Sequence, residues 1–400
     1  MSKHHPELIN PALGKQVHRA ALALVLRHLP LGIDARKLND QLAWEIVLYA
    51  SVHQITIEAA CQQLLGAPSG NTVRSHLTAV LPEARAEIRS LEDELNRTLR
   101  AQLPVRVRRR WGRLQFDIAI DLVPIPYHGQ AQADAQEVCR NPAKAGTTHF
   151  HMYGTLAIVY HRHRYTVAVT MVWADEKMET IAARLLDEAR RSGLWIRRAY
   201  LDKGFSGTEV LRLLRRRHVP YIVPLPARGG AGGIKQLFGG RCSYHTRYTF
   251  NRHTSRAYTT EVVIACKYSR GKYGRHRVEY FAYAVYGLGR IQAHQVFELY
   301  RRRFGIETGY RQMHRVRART ASRHPGLRLL LVAVALLLVN CYVLLRQQWC
   351  LLSQSGQRVR VIELTLDRVA EELREYLVQV LGKTTVIHIH SFLKDTLAVS

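Results

Sequence analysis

The chain has 400 residues, with 59 Lys and Arg against 31 Asp and Glu, a formal net charge of +28 at pH 7 and an isoelectric point near 10.3. That length exceeds one compact core of ordinary size, so a principal domain with smaller appended pieces is expected. The charge excludes an ordinary near-neutral enzyme and implies a polyanionic partner, nucleic acid above all.

Basic residues run from Arg106 to Arg110, Arg212 to Arg217, Arg301 to Arg303 and Arg311 to Arg319, so the charge belongs to folded parts rather than to one tail. The six cysteines form no CxxC pair and no zinc-ribbon spacing, and read as reduced thiols. The N-terminal MSKHHPELINPALGKQ has no apolar core of signal-peptide type, which places the chain in a cytoplasm.

From Gly14 to Leu65 apolar residues recur at helical spacing, among them Val17, Ala21, Leu24, Leu42, Ile46 and Ile57. The segment ITIEAACQQLLGAPSGNTVRSHLTAVLP, about 55–80, reads as helix, turn, then a second helix opened by Asn71. A helix-turn-helix would bring Asn71 and Arg74 within reach of bases or phosphates; an ordinary helical hairpin is the alternative. The helical region is expected to span 1–105 and to end at the basic run RVRRRWGR.

Next comes LQFDIAIDLVPIPY, a strand with Leu114, Phe116, Ile118, Ile120 and Leu122 on one face and Asp117 and Asp121 on the other. A polar loop through 129–146 precedes strands at Tyr153–Tyr160 and Tyr165–Trp173. An amphipathic helix follows over about Glu176–Arg191, then a strand, WIRRAYLD, ending at Asp202. A helix from Gly207 and the strand VPYIVPLP complete the first part of an α/β domain over 106–228, in the order β, β, β, α, β. A Gly-rich stretch opens a β-rich insertion over 229–290, and 291–350 returns to helices as the second part of the domain.

Within it, VFELYRRRFGIETGYRQMHRV is expected as a helix that sets Tyr300, Arg303, Glu307 and His314 along one face. Leu329–Leu345 is nearly all apolar but for Asn340. A membrane span needs roughly 20 apolar residues, so a buried core helix is the favoured reading and no membrane partner is expected. Residues 351–400 read as an α/β extension, with the helix LDRVAEELREYLVQVL and a strand in TTVIHIHSF.

Asp121 and Asp202 are the carboxylates that adjacent parallel strands would bring together, with Glu307 offering a third; Asp117 competes with Asp121 for the first place. Hard oxygen ligands of this kind suit Mg²⁺, and two ions can clamp a scissile phosphate between attacking and leaving oxygens.

The segment YRRRFGIETGYRQMH, with IAIDLVPIPYHG and AYLDKGFSG, resembles the DDE transposases of bacterial and archaeal insertion sequences that carry the signature Tyr-x2-Arg-x3-Glu-x6-Lys. Tyr300, Arg303 and Glu307 fit its spacing, whereas His314 stands where the signature has Lys. The resemblance covers roughly Gln115 to Arg319. It implies a ribonuclease-H-like mixed sheet with flanking helices, a β-rich insertion before the Glu helix, and an all-α DNA-binding N-terminal region.

For the site it implies Asp121, Asp202 and Glu307 holding two Mg²⁺ ions, with Mn²⁺ able to substitute, and Tyr300 and Arg303 on DNA phosphates. The activity implied is nicking at transposon ends followed by 3′-hydroxyl strand transfer into target DNA. A homodimer pairing two ends, in the nucleoid of a prokaryotic cell, is the implied assembly. Without the signature Lys, Arg311 and Arg315 are candidates to supply its charge. The alternative is a domesticated or decayed relative that binds DNA without cutting it.

Overall fold

In a computed structural model the described residues are 12–131, 136–160, 163–227, 233–270, 276–301, 305–352 and 364–384; side chains at 12, 269–270, 276–277, 305–308 and 348–352 are outside the description. The N-terminal part comprises α1 (Ala12–His28), a two-residue ladder of β1 (Asp34–Ala35) with β2 (Leu38–Asn39), α2 (Asp40–His53), α3 (Ile57–Gln63), α4 (Gly70–Val80), α5 (Ile88–Ala101) and α6 (Val105–Arg108). The sheet-forming part then runs β3 (Gln115–Pro126), β4 (Cys139–Lys144), β5 (Thr147–Tyr160), β6 (His163–Val172), α7 (Met178–Arg191), β7 (Trp195–Leu201), α8 (Thr208–Arg216) and β8 (Tyr221–Leu225). It continues with β9 (Tyr244–Phe250), β10 (Tyr258–Arg270), β11 (His276–Tyr286), α9 (Ala293–Arg301), α10 (Gly305–Arg315), α11 (Pro325–Leu352) and α12 (Leu366–Leu381).

Nine strands form one mixed sheet in the order β4-β5-β3-β7-β8-β11-β10-β9, with β6 paired to β5. The central strands β3, β7 and β8 are parallel, and every other pairing in the sheet is antiparallel. The residues expected as an insertion thus extend the same sheet through β11, β10 and β9. Short β4 lies within the stretch expected to be a polar loop; its exposed CRNPAK carries no alternation that would reveal a strand, and only its ladder to β5 makes it one. The segment expected as one helix around Glu307 is described as α9 and α10, with 302–304 outside the described residues. The strand expected in TTVIHIHSF lies almost wholly outside them too.

Strict alternation in β3 gives the sheet two working faces. Phe116, Ile118 and Ile120 enter the core beneath α7 and α8, while Ala119 packs on the opposite side with Tyr200 and Tyr300. On that opposite face Val123 and Ile125 join a core built from α1, α2, α5, α11 and α12. That core draws together residues as far apart in the chain as Leu13 and Leu377.

At its centre stands α11. Pro325–Gln347 is long and apolar enough to cross a membrane by length and composition, yet 89% of its most apolar window is buried inside the protein. Asn340, a buried polar side chain in its apolar run, accepts from the Thr166 backbone N–H at 3.0 Å and donates to the Thr166 carbonyl at 2.9 Å.

Further along the same edge of β6, Asn96 Oδ1 accepts from Val169 N at 2.7 Å and Glu92 Oε1 accepts from Met171 N at 2.7 Å, both from α5. Side chains of two helices therefore satisfy the backbone of a strand whose one strand partner among the described residues is β5, as buried polar groups require. Burial pushes the Glu92 carboxyl up from its ordinary range, against the pull of Arg89 and Arg184.

Asn340→Ala would leave a buried N–H and C=O of β6 without their partner, at a cost of about 2–4 kcal/mol. Equilibrium denaturation should register that loss, and Asn340→Leu should cost at least as much, because it fills the space without restoring the hydrogen bonds.

Candidate active site

Asp121 and Asp202 are brought together. In the parallel ladder Ile120 pairs with Leu201, and the Asp202 N–H donates to the Ile120 carbonyl at 3.3 Å, so the two aspartates are the next residues on neighbouring strands about 5 Å apart. Strand β7 ends there because the chain turns away at Lys203–Phe205, a single 3-10 turn that starts at Asp202. Strand β3 continues to Pro126 with β5 as its remaining partner. The carboxylate pair therefore sits where a parallel ladder opens.

Asp117 has a different job. Arg197 donates two 2.8 Å hydrogen bonds to its carboxylate, Tyr200 donates a third at 3.2 Å, and the side chain is 2% exposed. Four residues back along β3, about 13 Å by strand rise, it is a structural ion pair. Asp121 instead accepts from the Leu122 N–H at 2.8 Å and is directly opposite Thr155 of β5.

Two tyrosines position the helices over this pair. Tyr300, near the end of α9, is 5% exposed and donates its hydroxyl to the Leu201 carbonyl at 3.2 Å, immediately before Asp202. Its ring packs on Tyr283 at 5.2 Å. Burial and this hydrogen bond fasten α9 against the strand end. Tyr310 of α10 hydrogen-bonds Thr155, the cross-strand neighbour of Asp121.

Glu307 lies on the α10 backbone one turn before Tyr310, and residues three apart share a helix face. Docking of Tyr310 thus brings that stretch of helix to the level of the aspartates. The Glu307 side chain and the whole of Arg303 are outside the described residues, among which no group of three His, Cys, Asp or Glu converges. The sequence reading missed Tyr310, although its place three residues after Glu307 on a helix was a usable signal.

The remaining candidates separate. His314 is half-buried and held near about 4, first by burial and then by Arg317 and Lys144, so it is neutral at pH 7 and gives no fixed charge. Arg311 is exposed, whereas Arg315 is ion-paired to Asp367 of α12 and is already engaged.

On the N-terminal part, Ser69 rather than Asn71 caps α4, its hydroxyl accepting from Thr72 N at 3.2 Å. Helix α4 meets α3 closely enough that a Cβ on Gly70 would lie 2.5 Å from Glu58 Cα, so glycine alone fits there. Asn71 and Arg74 are exposed on α4, but Arg74 donates to Asn71 at 3.0 Å and approaches Glu58 at 3.7 Å.

These features define a mixed α/β protein whose sheet presents an aspartate pair beneath two helices anchored by tyrosines. Its family is shown by comparison: the transposase DDE domain matches residues 117–343, over half of the chain, and the chain belongs to that family. The match encloses Asp121, Asp202 and Glu307.

Among solved structures, the piggyBac transposase synaptic complex with hairpin DNA, determined by cryo-EM, is similar with a TM-score of 0.51 at 10% identity. The alignment covers 100% of this chain and 86% of that one, and at this identity it shows a shared fold. No curated protein sequence matches.

Asp117→Asn should lower stability by about 1–3 kcal/mol by breaking a bidentate pair whose arginine is half-exposed. Asp121→Asn keeps an oxygen to accept from the Leu122 N–H and should change stability less, which parallel thermal denaturation of the two variants checks. His53 and His314 are both lowered from 6.5 to about 4. Their stabilising neutrality is fully present above pH 6.5 and is lost as pH falls toward 4, so the melting temperature should drop across that window. In His314→Gln the drop should be smaller.

Proposed function

We propose that this chain is a transposase of the insertion-sequence group marked by Tyr-x2-Arg-x3-Glu-x6-Lys, and that it nicks DNA at transposon ends and joins the freed 3′-hydroxyl to target DNA. The observation that carries the reading is the side-by-side placement of Asp121 and Asp202 at the opening of a parallel ladder, with α10 docked through Tyr310 beside Asp121. A ribonuclease-H-like core and an α3–α4 helix-turn-helix reading DNA belong to the same proposal.

The donor set fits a hard divalent cation: two neighbouring carboxylates, with Glu307 offered from the helix opposite. Two Mg²⁺ ions, or Mn²⁺ in their place, would supply activation of the attacking oxygen and neutralisation of the leaving one. Asp121, Asp202 and Glu307 would hold them.

In the first step a water oxygen attacks the scissile phosphorus; the P–O3′ bond breaks and leaves a 3′-hydroxyl and a 5′-phosphate. That hydroxyl then attacks a target phosphorus, forming a new P–O3′ bond as the target's own 3′ oxygen departs. Tyr300 keeps the Asp202 strand end in register, and Arg303 is proposed to meet a DNA phosphate through its planar fork. Two copies would pair the two ends, in the cytoplasm of a prokaryotic cell at its nucleoid.

One feature favours a second reading, a decayed relative that binds DNA without cutting it. His314 is neutral where the signature has a fixed charge.

Purified protein given end-containing DNA with Mg²⁺ or Mn²⁺ should yield nicks and joined products. Asp202→Asn and Glu307→Gln should each reduce product about 10³-fold or more, while DNA affinity stays within a few-fold. Full activity in either variant rules the reading out, and binding without product under both metals selects the decayed relative. His314→Lys should strengthen DNA binding and steepen its salt dependence by about one phosphate contact.

A further inference from the structure

A cavity of about 860 Å³ opens beyond the carboxylate pair, on the same face of the sheet. Tyr127, His151 and Tyr153 line one side, and Arg317, Arg319 and Arg323, from the segment joining α10 to α11, line the other. Ile125 is also in its wall, four residues after Asp121 along β3, which sets the cavity roughly 13 Å from the aspartates by strand rise. That distance is about four steps of a DNA strand at 3.4 Å each.

The charge balance of the wall is one-sided. Arg328, deeper in the cavity, is neutralised by Glu137. Arg317 is not: among the described residues it has no carboxylate partner, its Nη1 reaches only the Ala318 carbonyl at 3.4 Å, and its Nε is buried without a hydrogen-bond partner. Arg319 is exposed beside it and has no described ion pair. Burial first, and the neighbouring Arg319 charge after it, push the Arg317 guanidinium below its ordinary range. A mostly buried cation with an open donor, next to a like charge, is an arrangement that an anion relieves.

We propose that this cavity is a phosphate-binding subsite, in which Arg317 and Arg319 grip a phosphodiester group of the DNA strand that passes the Asp121–Asp202 pair. This rests on the reading of the chain as a DNA-processing enzyme and adds to it a second anchoring point. Arg317 supplies a buried Nε donor that has no protein partner, and Arg319 supplies charge at the mouth. The segment carrying both arginines is fixed to the helical N-terminal part, since Arg319 N donates to the Ile55 carbonyl at 3.0 Å. The subsite is therefore held in place before DNA arrives.

The test uses the full chain and a short DNA duplex of arbitrary sequence, with affinity measured across a salt series. Arg317→Gln and Arg319→Ala should each make the log-affinity against log-salt slope shallower by about 1, and Arg317→Lys should keep most of it. Because Arg317 is mostly buried, it alters the slope only if a phosphate enters the cavity. Arg319→Ala removes an exposed side chain, so it remains informative if Arg317→Gln fails to fold, and a melting curve reports that failure.

Wild-type slopes in both Arg317→Gln and Arg319→Ala overturn the subsite. Metal-dependent nicking of end-containing DNA by the wild type is scored in parallel. Unchanged slopes with nicking intact overturn the cavity alone, whereas absence of both DNA binding and nicking overturns the functional reading together with it.

Discussion

Everything else in this molecule is arranged around the need to enclose α11. A helix apolar on all sides cannot lie on a surface in water, because each exposed Leu or Val would forfeit about 1.5–3 kcal/mol of burial. The chain meets that constraint by surrounding α11 with α1, α2, α5 and α12 on one side and with β6 and the β3–β5 face on the other. The N-terminal helices and the sheet consequently share one core. A length and composition that would pass for a membrane span are used as the interior pillar of a globular protein.

Enclosure also solves the problem of the sheet edge. Strand β6 would otherwise present unpaired backbone groups, and Glu92, Asn96 and Asn340 satisfy them from α5 and α11. Asn340 thus has a reason to interrupt an apolar helix: it is the point at which the pillar is hydrogen-bonded to the sheet. The same packing sets α10 across the β3–β5 pair, where Tyr310 meets Thr155. The geometry of the carboxylate site follows from the burial of a helix that carries none of its chemistry.

The basic composition acts at two levels. Many arginines are consumed in structure, as Arg197 is by Asp117, Arg100 by Glu188 and Arg315 by Asp367. Arg317 and Arg319 remain without such partners among the described residues. Net charge shows that a polyanion is a fitting partner for the chain. Which cations remain available to it depends on where the scarcer carboxylates fall after folding.

Sequence alone determined the period-2 faces of β3, the succession of β3, β5, β6, α7 and β7, the buried nature of α11, and Asp121 and Asp202 as strand-associated carboxylates. All of these rest on local periodicity and on residues whose chemistry is legible within a few positions. Tertiary structure alone decided that Asp117 is held by Arg197 from β7, that Tyr300 points into the core, and that Arg315 is occupied by an aspartate on α12. It also decided that β9, β10 and β11 prolong the main sheet, and that β4 is a strand at all. These depend on partners tens to hundreds of residues away, and a side chain's neighbours across such distances are set by packing of the whole core rather than by the pattern around it.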